Sequence, residues 1–198
     1  SLTKLMTAYV VFREIERGTV KLDDVVLVSE KAWRSEGSRM FIEAGDKVQI
    51  KNLLMGLIVQ SGNDSAVALA EHIAGSEEGF VDLMNQTAAE LGMANSHFVN
   101  SAGMPHPDHY TTARDVTLLT RAIIDQQPDH YAMYAIREFT WNDITQKNRN
   151  PLLGRDSSID GVKTGHTRSA GYCLVGSAER DGSRLIGTVI GAKSHRER

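Results

Sequence analysis

The apolar positions fall into runs whose period changes along the chain. Leu5, Met6, Tyr9, Val10, Val11, Phe12 and Ile15 make the stretch from Leu2 to Arg17 apolar on nearly every face, and Gly18 closes it. Such a pattern predicts a helix in a domain interior, with glycine after its last turn. Val25 to Val28 and Lys47 to Ile50 read as short strands. Leu53 to Val59 reads as a second buried helix, interrupted by Ser61-Gly62-Asn63. Asp64 to Ala74 and Glu77 to Leu91 follow as helices ended by Gly75 and Gly92. Thr112 with Asp115 forms a capping box for a helix through Asp125.

Beyond Pro128 the pattern turns to strands: Phe139 to Trp141, Gly161 to Thr164, Gly171 to Ala178 and Arg184 to Ile190. The last two are joined across Arg180-Asp181-Gly182, a hairpin signal. Helices first and strands later argue against an alternating parallel sheet. They predict an α+β, three-layer fold: an antiparallel sheet flanked by helices, plus an all-helical subdomain. One domain over residues 1–198 is expected, its helical part roughly 20–140, inserted before the strands at 160–192.

A net charge of −3, with lysine and arginine scattered along 198 residues, gives no basic stripe and excludes nucleic acid as a natural partner. No apolar run reaches the roughly 20 residues of a membrane span. The single cysteine, Cys173, has no internal partner and reads as a core residue of its strand.

Three short motifs carry candidate chemistry. Ser1-x-x-Lys4 opens the first helix, where residues three apart share a face. A serine hydroxyl is a weak nucleophile until a base takes its proton. A lysine can be that base if burial or another cation lowers its pKa. The motif alone is weak, since about one S-x-x-K is expected by chance in this length. Ser61-Gly62-Asn63 would set a hydroxyl and an amide on a tight turn, although it also reads as a helix start. Lys163-Thr164-Gly165 on a strand offers a cation and a hydroxyl for a carboxylate, and a glycine for close backbone approach.

In this order the three motifs are together the signature of penicillin-binding proteins and class A β-lactamases. The sequence resembles the serine D-Ala-D-Ala carboxypeptidases, the low-molecular-mass penicillin-binding proteins. The likeness runs through Ser1-Leu2-Thr3-Lys4-Leu5-Met6-Thr7, Gln60 to Asp64, His109 to Asp115 and Asp160 to Thr167. The resemblance implies Ser1 as nucleophile, Lys4 as its base and Ser61 as proton donor to the leaving D-Ala. Asn63 would hold the acyl amide, Lys163 and Thr164 the terminal carboxylate. The oxyanion would lie between the backbone N–H groups of Ser1 and His166. Gly165 and Arg149 complete the implied substrate site. No cofactor and no metal are implied. The partners would be a peptidoglycan stem peptide ending in D-Ala-D-Ala and the β-lactams that mimic it.

Ser1 opens directly into a helix and the chain ends in a polar run, so continuation in both directions is expected. By resemblance the missing parts carry a signal peptide, further strands and helix, a β-rich domain and an amphipathic anchor. Membrane association would come only through them, at the periplasmic, outer face of the bacterial inner membrane. A class A-like β-lactamase, an N-terminal amidohydrolase using its own α-amine, and a penicillin-binding sensor that stays acylated are the rival readings. Of the glutamates between Asn63 and Lys163, only Glu138 has an asparagine four residues on, as the lactamase reading requires. His106-x-x-His109 with Asp108 lacks a third ligand at helical spacing and does not read as a metal site.

Overall fold

A computed structural model describes residues 2–198; Ser1 lies outside the described residues. The first helix, α1 (Thr3–Glu16), is buried at every position from Thr3 to Phe12. It ends in a Schellman turn: Gly18 sits at φ 74°, its N–H bonds Ile15 O, and Thr19 N–H bonds Glu14 O. Helices α4 (Asn63–Ala74), α5 (Glu77–Glu90) and α6 (Ala113–Gln126) pack against α1. Leu5, Met6 and Phe12 meet Leu53, Leu57 and Phe80 in one continuous core.

A small antiparallel pair, β1 (Val25–Leu27) and β2 (Lys47–Gln49), buries Val26 opposite Val48. Between them lies α2 (Glu30–Trp33), one turn capped by Ser29, whose hydroxyl accepts from Ala32 N–H at 3.0 Å. The expected single helix over 53–59 is two segments: α3 (Ile50–Met55), then a wider π-helical turn, Gly56–Gln60. The wider turn begins at Gly56, where a Cβ would stand 2.3 Å from Met40 Sδ. The capping box at α6 forms only in part. Thr112 Oγ1 accepts from Asp115 N–H, while the Asp115 carboxylate turns to Asn95 N–H and Ser96 Oγ.

Short turns follow, α7 (Pro128–Tyr131) and a 3₁₀ segment, Ala132–Ala135. The strand expected at 139–141 is β3 (Glu138–Trp141), but its partner is a strand the sequence pattern missed, β4 (Ile144–Lys147). This hairpin turns on Asn142 and Asp143, both at positive φ, and stays separate from the main sheet. The main sheet has strand order β5-β6-β7, antiparallel throughout: β5 (Ile159–Thr167), β6 (Gly171–Arg180) and β7 (Ser183–Ala192). The expected hairpin joins β6 to β7 through Asp181 and Gly182, φ 49° and 73°. Those are the signs of a two-residue turn that matches strand twist. Residues Gly161 to Gly165 of β5 are buried, whereas β7 alternates between exposed and half-buried. The 3₁₀ turn packs on β5, and α6 packs on β7. The class is α+β, with helices packed on an antiparallel sheet.

Candidate active site

Lys4 lies in the first turn of α1, 2% exposed. Its Nζ donates to Asn63 Oδ1 at 2.7 Å and to the Ala102 carbonyl at 2.6 Å. Burial, helped by the Arg149 guanidinium and opposed by Asp64, pulls the amine from 10.5 down to about 7. A neutral amine has two N–H donors and one lone pair. Both donors have acceptors here, which leaves the lone pair to take a proton.

Asn63 is set by the turn before it. The π-helical segment ends at Ser61, a non-glycine residue at φ 62°, and Gly62 N–H closes back on Gly56 O at 3.1 Å. A Cβ at Gly62 would come within 2.7 Å of both Asp64 Oδ1 and Ser65 Oγ, so the middle of the motif must be bare. Irregular helical turns and positive φ mark strain retained at a functional position. Asn63 Nδ2 donates to Glu36 O at 2.5 Å, and Asn63 N–H to Ser38 O at 2.7 Å. The amide therefore has a fixed sense, oxygen toward Lys4.

Asp64 anchors the opposing loop. Fully buried, its carboxylate accepts from Met40 N–H at 3.1 and 3.0 Å, Phe41 N–H at 3.0 Å and Ser65 N–H at 2.9 Å. Burial outweighs these bonds and raises its pKa. The bonds also hold Phe41 at φ 70°, a costly conformation for a bulky residue. Asp64→Ala would strand three backbone donors and should lower stability by about 3 kcal/mol. A denaturant melt checks this; a loss under about 1 kcal/mol would show that the loop finds other acceptors.

Lys163, 2% exposed on β5, donates to Thr164 O at 3.1 Å. Burial first, then the charges of Lys4, Arg149 and Arg198, hold its pKa well below the ordinary value. Lys4, Lys163, Arg149 and Arg198 thus lie near enough for Lys163 to feel the charge of the other three. A cavity of about 440 Å³ is lined by Ser61, Arg149, Thr164, Gly165, His166 and Arg198, among others. Asn63 and Lys163 are chain neighbours of its lining residues, and Lys4 is joined to Asn63 by the hydrogen bond above.

Eight of the expected residues therefore line this cavity or touch its machinery through hydrogen bond or charge, and Lys4 bonds Asn63 directly. Ser1, the expected nucleophile, lies outside the described residues. Arg198 was not foreseen: it donates to Gly165 O at 3.3 Å and Cys173 O at 3.4 Å, its guanidinium 5.7 Å from the Tyr172 ring centroid. A lone arginine beyond the last strand carries no local motif. Ser38, Tyr172 and His195 also line the cavity unannounced.

His109 is engaged otherwise than as a ligand. Its Nδ1 accepts from Val99 N–H at 3.2 Å, so Nε2 carries the hydrogen and donates to Thr3 Oγ1 at 2.8 Å. Burial, the largest cause, brings its pKa to about 4. Among the described residues no group of histidine, cysteine, aspartate and glutamate is placed to hold a metal ion. Cys173 is buried in the core.

The chain matches the family model described as D-alanyl-D-alanine carboxypeptidase over residues 1–194. It is 45% identical to D-alanyl-D-alanine carboxypeptidase DacD of Escherichia coli over 205 residues, 100% of this chain and 53% of that protein. The crystal structure of D-alanyl-D-alanine carboxypeptidase DacD from Francisella tularensis superposes with a TM-score of 0.98 at 38% identity, covering 100% of this chain and 60% of that one. That of penicillin binding protein 6B from Escherichia coli gives 0.95 at 45% identity, covering 100% and 65%. The chain spans about half the length of the curated relatives it matches. With a buried, deprotonatable lysine bonded to Asn63 and a Lys-Thr-Gly strand across the same cleft, the chain belongs to the D-alanyl-D-alanine carboxypeptidase family.

Proposed function

We propose that the chain is the catalytic core of a serine carboxypeptidase that removes the terminal D-Ala from peptidoglycan stem peptides ending in D-Ala-D-Ala. Ser1 Oγ attacks the penultimate D-Ala carbonyl as its proton passes to the Lys4 amine. The tetrahedral oxygen is held by the backbone N–H groups of Ser1 and His166. Ser61 passes a proton to the nitrogen of the departing D-Ala, and the C–N bond breaks. Lys163, Thr164 and Arg149 hold the terminal carboxylate and Asn63 the acyl amide. Water then hydrolyses the Ser1 ester, releasing the shortened peptide and restoring the hydroxyl. A β-lactam enters the same path, but its opened ring stays attached, so the acyl-enzyme persists.

The observation that carries the reading is the Lys4 amine, drawn to about 7 while bonded to Asn63. A single relative, Penicillin-Binding Protein D2 from Listeria monocytogenes, described in cefotaxime- and ampicillin-bound forms at 30% and 29% identity, supports β-lactam acylation. The lactamase alternative gains no support, because Glu138 is exposed on β3, opposite Lys147. Within this reading residues 1–198 form one catalytic domain whose helical part, roughly 20–140, is inserted before the strands at 160–192. The site of action is the periplasmic face of the inner membrane, with attachment through segments other than these. Among the described residues no helix is long and apolar enough to cross a membrane.

Intact mass followed over time with penicillin G tests the reading. A lasting adduct on Ser1 is expected. Rapid return to the starting mass would mean a lactamase, and no adduct would end the acyl-transfer reading. The acylation rate should also follow the free-base fraction of Lys4. That fraction grows from about a tenth at pH 6 to half at pH 7 and nine-tenths at pH 8. The rate should therefore rise about fivefold over the first interval and less than twofold over the second. A flat profile from about pH 5.5 to 8.5 would exclude Lys4, so tuned, as the base.

A further inference from the structure

The acceptor that meets the Lys4 amine beside Asn63, the Ala102 carbonyl, belongs to no helix or strand. A catalytic side chain is placed only as well as the groups around it are held. Residues 100–104 close on themselves through Asn100, whose Oδ1 accepts from Gly103 N–H at 2.7 Å and Met104 N–H at 2.8 Å. Further ties fasten Ser101, the fully buried residue before Ala102. Its carbonyl accepts from Thr7 Oγ1 at 2.7 Å, three residues beyond Lys4 on α1. Its N–H, at 3.0 Å, and its hydroxyl, at 2.7 Å, both donate to a single oxygen, Glu77 Oε1. Glu77 opens α5 directly after the Ser76 cap, and its other oxygen pairs with Lys31 Nζ at 3.0 Å.

Glu77 thus takes two donors of the residue that precedes the Lys4 acceptor, although it is no part of the cavity lining. Burial raises its pKa, but the bonds from Ser101 and Lys31 outweigh burial and bring it below the ordinary value, so it is a carboxylate at neutral pH. On its outer side it shares Lys31 with Glu78. The charges that act on the Lys4 amine are Arg149 and Asp64, and Lys163 feels that amine in turn. What reaches Lys4 from Glu77 is geometry carried through the chain. We propose that Glu77 is a positioning residue for the reaction, holding the Ser101-Ala102 peptide so that the Ala102 carbonyl stays on the Lys4 amine. That carbonyl favours the ammonium over the amine, because a bond from a charged donor is the stronger. Loosening it therefore removes the orientation of the base and lowers its pKa together. The inference rests on the acyl-transfer reading above and adds a residue to it.

Two variants separate reach from charge. Glu77→Gln keeps the accepting oxygen at the same reach and removes the charge. Glu77→Asp keeps the charge at the start of α5, where it suits the helix, and draws the oxygens back by one methylene. The full-length protein is acylated with penicillin G from pH 6 to pH 8. Wild type should gain about ninefold over that range, as for a base with a pKa of about 7. Glu77→Gln should stay within about twofold of wild type and show the same gain. Glu77→Asp should be about tenfold slower at pH 8, the scale of a small misplacement, and should gain only about fourfold, as for a midpoint near 6.5. A variant that was merely less stable would lose rate and keep its midpoint. An unmoved or raised midpoint in Glu77→Asp would overturn the proposal. So would the reverse pattern, Glu77→Gln slow and Glu77→Asp normal, which would make the charge of Glu77 its contribution. Either result leaves the acyl-transfer reading standing. If penicillin G does not label the wild type, that reading fails and the inference falls with it.

Discussion

Replacing Lys4 with arginine should slow acylation by penicillin G by about 10³-fold, a barrier increase of about 4 kcal/mol. The reason is specific to this pocket. Lys4 is 2% exposed, and burial with the Arg149 charge brings its amine to about 7, so half of it is free base at neutral pH. A guanidinium does not deprotonate in any comparable setting. It can still donate to Asn63 Oδ1 and Ala102 O, the two acceptors the amine now serves. The substitution thus removes the base while keeping the donors, and the pH dependence separates the two roles. Wild type should gain rate through pH 7, whereas the variant should show no such limb. Lys4→Met gives the complement: it fits the buried space but leaves both acceptors unpaired, so it should lose rate and stability together. Stopped-flow labelling with a fluorescent penicillin reads all three proteins. An arginine variant within tenfold of wild type would remove Lys4 from the role of base.

What the sequence disclosed depended on how local each feature is. The α1 helix was legible because its buried positions run without a break, and the β6–β7 turn because Asp181-Gly182 has a local conformational signature. The strand β4, Ile144-Thr145-Gln146-Lys147, is short and mostly polar, so no alternation announced it. At Gly56, where the π-helical turn begins, Met40 and Ser65 leave no room for a Cβ, a contact that composition does not reveal. Site residues followed the same rule. Lys4, Asn63 and Lys163 stood out through tripeptide context. The work of Asp64 is to hold backbone donors at Met40 and Phe41, 24 and 23 residues away, and that needs coordinates. Arg198 reaches the site from beyond the last strand, with nothing around it to mark a function.

Ser1→Ala should abolish covalent labelling by penicillin, a loss on the order of 10⁶-fold if the hydroxyl acts as serine nucleophiles do elsewhere. Lys4 follows Ser1 by three residues in the sequence, its donors already committed and its lone pair unused by them. Alanine deletes only the hydroxyl, so the fold should be unaffected. Two competing hydroxyls could in principle be acylated in its place. Thr3 is occupied by His109 at 2.8 Å. Ser61 lines the cationic cavity at φ 62°, and it is the alternative worth excluding. Ser61→Ala should therefore keep a measurable adduct at a rate lowered by about 10²-fold, as loss of a proton relay does. Peptide mapping of the penicilloyl group decides between them. An adduct surviving in Ser1→Ala, or mapping to Ser61, would move the nucleophile to the turn and leave Lys4 serving a different hydroxyl.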